Sequence, residues 1–173
     1  MNKSALICML LPLCLSLLLS VGCRAVGSTP RPLLYAQPSA EALAQTVLEA
    51  LAKRDDQTLK NLVLTKDEFC NYVWPELPSS KINNLTCDWV WRSFKPNDIS
   101  GRKQILSVYG GKPYNLIRLR YAKGTTEYKS FKVHEDARVV VQDSGGGKEQ
   151  ELKLFGSILE YDGQFKLFSY IID

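Results

Sequence analysis

Hydrophobic positions along the chain change period twice and divide it into three parts. Residues 5–19 are almost continuously apolar, residues 39–111 carry apolar side chains at helical spacing, and residues 112–173 alternate. In the helical part, Ser39 follows Pro38 and precedes Glu41, and Leu43, Val47, Leu48 and Leu51 then share one face before Lys53 and Arg54. That pattern predicts an amphipathic helix. A short second helix is predicted from Asp56, burying Leu59, Leu62 and Val63. Thr65 with Glu68 three residues later is a capping-box signal, which predicts a third helix carrying Phe69, Tyr72 and Val73 until Pro75 ends it. Residues 75–80 must form a loop, because the prolines restrict the backbone on either side. Beyond it, Cys87, Val90, Trp91 and Phe94 fit a helical face, while Trp89 and Trp91 also alternate as in a strand; helix is preferred. Another helix is expected over residues 98–109, stopped by Gly110-Gly111.

From residue 114 the period is two. Residues 114–121 place Ile117, Leu119 and Tyr121 on one face and Leu116, Arg118 and Arg120 on the other. Gly124 is expected to turn the chain into a second strand over residues 125–133, Glu135-Asp136 to mark the next turn, and residues 138–142 to form a third strand. Residues 152–161 and 165–172 make the clearest hairpin, since Asp162-Gly163 is a strong two-residue turn signal. The predicted fold is α+β, with N-terminal helices packed on a curved antiparallel sheet of about five strands.

The apolar leader begins after Lys3 and has no acidic residue before Glu41, which is signal-peptide architecture. It ends in Leu19-Ser20-Val21-Gly22-Cys23, which resembles the lipobox of bacterial lipoproteins, with Ser20 where leucine is commonest. The resemblance implies cleavage after Gly22, lipid on Cys23 and a membrane-tethered protein of the bacterial envelope. Arg24 in place of an aspartate implies sorting to the outer membrane, facing the periplasm, where the source has one. Simple secretion and an uncleaved anchor are the rival readings; the breaks at Pro12, Ser16 and Ser20 weigh against the anchor. The expected organisation is a signal peptide over residues 1–22, a lipidated tether over 23–38 with three prolines, and one domain over 39–173.

Removing the leader leaves 21 basic and 18 acidic side chains, too balanced for a nucleic-acid-binding composition. It also removes two of the five cysteines. Lipid on Cys23 then leaves Cys70 and Cys87, either as a disulfide in an oxidising compartment or as two separate buried thiols.

Candidate chemistry is sparse. Tyr72, Trp74, Trp89, Trp91 and Tyr109 could line a ligand pocket or simply form core. Arg118, Arg120, Lys129 and Lys132 could form a basic contact face or a solvated sheet face. His134, the single histidine, stands beside Glu135 and Asp136 and could act as a general base, but an exposed turn is the preferred expectation. Ser144-Gly145-Gly146-Gly147-Lys148-Glu149 lacks the glycine spacing and following hydroxyl residue of a phosphate loop. Asn84-Leu85-Thr86 matches a glycosylation acceptor, a coincidence in a bacterial lipoprotein. No metal or cofactor is expected.

Helices followed by a long antiparallel meander resemble the nuclear transport factor two-like, or cystatin-like, α+β cone, although the early hairpin of that family is not evident. The cone implies either a non-catalytic module or an isomerase- or dehydratase-like enzyme. The leading expectation is a non-enzymatic envelope lipoprotein that binds a partner protein or small apolar ligand. The alternatives are a cone enzyme using Glu68, Asp88 or Glu160 in an aromatic pocket, and a structural component of an envelope assembly. Oligomeric state is open.

Overall fold

The computed structural model describes residues 33–170, and the leader and Cys23 lie outside the described residues. The architecture is α+β, with the helices preceding a five-stranded antiparallel sheet. Helix α1 (Ala40–Lys53) starts where the Ser39 side chain accepts the Ala42 N–H, and ends at Arg54 in the left-handed region. It buries Leu43, Val47, Leu48 and Leu51, the face predicted from their spacing. Helix α2 (Asp56–Asn61) is capped by Asp55. Helix α3 (Lys66–Glu68) carries the complete Thr65–Glu68 capping box and runs into a π-helical turn over Phe69–Val73. Helix α4 (Cys87–Tyr109), capped by Thr86, joins the two helices expected over 87–94 and 98–109 into one that includes Pro96.

The sheet order is β1 (Tyr114–Glu127), β2 (Phe131–Asp143), β4 (Ile158–Tyr161), β5 (Gln164–Leu167), with β3 (Gln150–Leu152) also paired to β2. Here the expected turns are corrected. Gly124 and Asp136 do have positive φ, +84° and +52°, but the chain does not reverse at either. They meet across one long hairpin, where the β1–β2 register skips between Tyr121 and Gly124. The reversal comes at residues 128–130, where the Tyr128 N–H bonds the Phe131 carbonyl. The segment expected as one strand over 152–161 breaks at the same level: β3 pairs with Val139–Val141 and β4 with Phe131–His134. Between them the Ala137 N–H donates to the Gly156 carbonyl. A bulge that adds residues to one strand bends the ladder, so the β1–β2 ladder bends between Tyr121 and Gly124, opposite Asp136. The Asp162-Gly163 turn closes β4 and β5 as predicted, with Tyr161 opposite Gln164.

Successive residues of β4 face different cores. Ile158 packs with Leu167, α1, Leu59 and Ile105, whereas Leu159 packs with Phe131, Phe69, Val73 and Leu64. The tether expected to extend to residue 38 is corrected at its last six positions, which belong to the domain. Leu33 is buried and its N–H donates to Gln164, the Leu34 N–H donates to Glu68, and Gln37 exchanges two backbone hydrogen bonds with Phe165. Leu62 and Leu64 take the next backbone groups of β5 at Leu167, so both segments cover the outer edge of β5.

Candidate functional site

The capping box of α3 places Glu68 where it serves two further groups besides the Thr65 N–H. One carboxylate oxygen accepts the Leu34 N–H at 2.7 Å, and the other accepts the Thr65 N–H at 2.7 Å and the Lys166 ammonium at 2.8 Å. The Glu68 and Lys166 side chains are 6% and 0% exposed. Burial raises the Glu68 carboxyl, but the Lys166 hydrogen bond and the two backbone N–H groups outweigh it and hold the carboxyl below its ordinary range. Burial likewise lowers the Lys166 ammonium, against the pull of Glu68. The buried carboxylate is thus fully engaged in structure.

The disulfide is present. Cys70 and Cys87 are bonded with their Cα atoms 5.7 Å apart, fastening the start of α4 to the π-helical turn. Around it the predicted aromatic group divides. Trp74, Trp91 and Phe94 pack against Phe69, and Tyr72 stacks on Tyr161. Trp89 is 60% exposed, and Tyr109 packs edge-on to Tyr114 in the other core. The five residues therefore line no common pocket, because α4 runs from one core to the other and separates its two ends.

The basic strip is threaded with carboxylates. Arg118 meets Glu149, Arg120 grips Glu151 through two hydrogen bonds of 2.6 and 2.8 Å, and Lys132 meets Glu127. Lys129 lies near Glu76, which holds the hairpin end through the Ser130 N–H and hydroxyl. Asp88, one of the three candidate carboxylates, is paired with Lys66 and Arg92 at the surface. The Lys66 hydrogen bond, countered by burial, and then the Arg92 charge hold it below its ordinary range.

His134 is not in an exposed turn, as expected, but within β2, with its side chain 12% exposed. Its Nδ1 lies 2.9 Å from the Thr125 hydroxyl and its Nε2 2.8 Å from Glu160. The ring stacks on Tyr121 at 4.6 Å and near Phe165 at 6.2 Å. Burial, then the Glu41 and Glu160 charges, raise the Tyr121 phenol. A hydroxyl, an imidazole and a carboxylate in series can pass a proton. Thr125, Tyr121 and Lys166 were not visible from spacing, since Thr125 and Tyr121 meet His134 across the β1–β2 ladder and Lys166 meets Glu68 of α3.

Among the described residues no group of three or more His, Cys, Asp or Glu side chains is placed to hold a metal ion, and no helix is long and apolar enough to cross a membrane. No family model, curated protein or solved structure matches this chain.

Proposed function

We propose that the chain is a bacterial envelope lipoprotein, held by lipid on Cys23, whose α+β domain is a non-enzymatic binding or accessory module. The observation that carries this is the Cys70–Cys87 disulfide. Structural disulfides persist in oxidising compartments, and the leader ending at Cys23 supplies the export route and accounts for the remaining cysteines. Its partner is an envelope protein or a small apolar ligand. The test is Cys23→Ser expressed beside the wild-type chain. The wild type is expected as a processed, detergent-extractable membrane protein, and the variant as an unprocessed or released one. A variant that remains membrane-bound at wild-type size counts against lipidation. Proteins and ligands co-purifying with the wild type then identify the partner.

A second reading, a cone-type enzyme, is favoured by one observation, the Thr125–His134–Glu160 series. Of the three candidate carboxylates, Glu160 alone meets an imidazole. Glu160→Gln would abolish turnover of any substrate found, while an unchanged rate would remove this reading.

A further inference from the structure

We propose that the surface where the chain enters the domain rests on the bilayer leaflet holding the Cys23 lipid; this builds on the lipoprotein reading. Residues 24–32 separate the lipidated cysteine from the docked Leu33, and fully extended they reach about 30 Å at most. The entry point is therefore kept within one domain diameter of the headgroups. The surface it presents there is apolar. Leu33 is buried, which pins its neighbours Leu34 and Tyr35 outward at 58% and 65% exposed.

Contacts lead from this entry point through α3 to the start of α4. Glu68 holds the Leu34 N–H, while Lys66, two residues before it, pairs with Asp88 at the start of α4. Next to Asp88 stands Trp89, 60% exposed, and Ile82 in the preceding loop is 59% exposed. The disulfide secures this loop and helix start against the turn that follows α3. Four of the seven exposed large apolar side chains among the described residues thus lie at the entry point or on the loop and helix start that these contacts link to it. Tyrosine and tryptophan combine an apolar body with a polar edge and favour the membrane interface. Lys66 and Arg92, both paired with the Asp88 that precedes Trp89 in the chain, carry long aliphatic stems ending in charge, which suits them to headgroups. A leaflet fits this mixture, since the anchor already supplies the proximity and each side chain adds only shallow insertion.

The test uses the lipidated mature chain in vesicles of phosphatidylethanolamine and phosphatidylglycerol with brominated acyl chains, read by tryptophan fluorescence. Quenching is expected in the wild type and in Trp74→Phe, and is expected to fall by about half or more in Trp89→Phe, because bromine quenches only the ring that reaches it. A Leu34→Glu, Tyr35→Glu double variant should lose quenching while still floating with the vesicles. Flotation of the wild type without quenching overturns the docking surface and leaves the anchor standing. Failure of the wild type to float, with no lipid on Cys23, overturns the anchor and the docking surface together.

Discussion

Glu68→Gln is expected to be among the most destabilising polar substitutions in the domain. The Lys166 side chain is wholly buried and Glu68 is the acceptor its ammonium bonds, at 2.8 Å. Removing the charge leaves an uncompensated buried cation, which costs about 3–5 kcal/mol. Glutamine keeps the size and an acceptor for one backbone N–H, so most of the capping contribution of about 1 kcal/mol survives. Against a typical domain stability of about 5–15 kcal/mol the loss is more than half at the lower end. The assay is urea unfolding of the disulfide-intact mature chain at neutral pH, with the Glu68→Gln, Lys166→Met double variant alongside. The double variant should recover much of the loss, because it removes the stranded charge. A single variant within about 1 kcal/mol of wild type, or a double variant equal to the sum of its parts, would refute the reasoning. The pH dependence has a definite sign. The folded carboxyl lies below its ordinary value, so the unfolded chain binds a proton first as pH falls. This stabilisation is complete above the ordinary glutamate value and is lost as pH drops through the lower folded one; Glu68→Gln should remove that part of the acid sensitivity.

Reducing Cys70–Cys87 should lower stability by about 3 kcal/mol, given the 17-residue separation; two reactive thiols in denatured, unreduced mature chain would show that the bond does not form. Gly124→Val should cost about 1 kcal/mol or more in thermal unfolding although its Cβ meets open space, because φ is +84° there. Gly145→Ala, equally open and without a positive φ, serves as the near-neutral control. Arg120→Ala should change stability by less than about 1 kcal/mol despite its two hydrogen bonds to Glu151, since the pair is solvent-exposed; a larger loss in urea unfolding would contradict this.

Local signals in this chain read well where the physics is local. Ser39, the Leu43–Val47–Leu48–Leu51 face and the Thr65–Glu68 box each specify an element within a few residues, and each stands as predicted. Gly124 and Asp136 were legible as positions of unusual backbone, but a single strand does not say whether such a position reverses the chain or bends it. That depends on the two meeting across β1 and β2. His134 went astray for the same reason: a turn in its place would have exposed it, while a bend keeps it in the sheet against Glu160. Lys166 occupies an alternating position that marks it as inward-facing only once β5 is known to have a core on each side. Counting cysteines isolated Cys70 and Cys87 but left a disulfide and two buried thiols both open until the structure showed the bond, whereas the scattering of the aromatic group followed from the length of α4, which no single residue encodes.

The way the N-terminal segment joins the sheet has a mechanical consequence. Any pull transmitted through residue 32 enters the domain at Leu33 and Leu34, whose backbone N–H groups are held by Gln164 and Glu68, and then at the paired bonds between Gln37 and Phe165. Force is thereby delivered to the β5 edge and the buried Glu68–Lys166 pair before it can reach α1. Such a pull is borne by a buried charge contact, and the helical core behind it stays unloaded until that latch gives way.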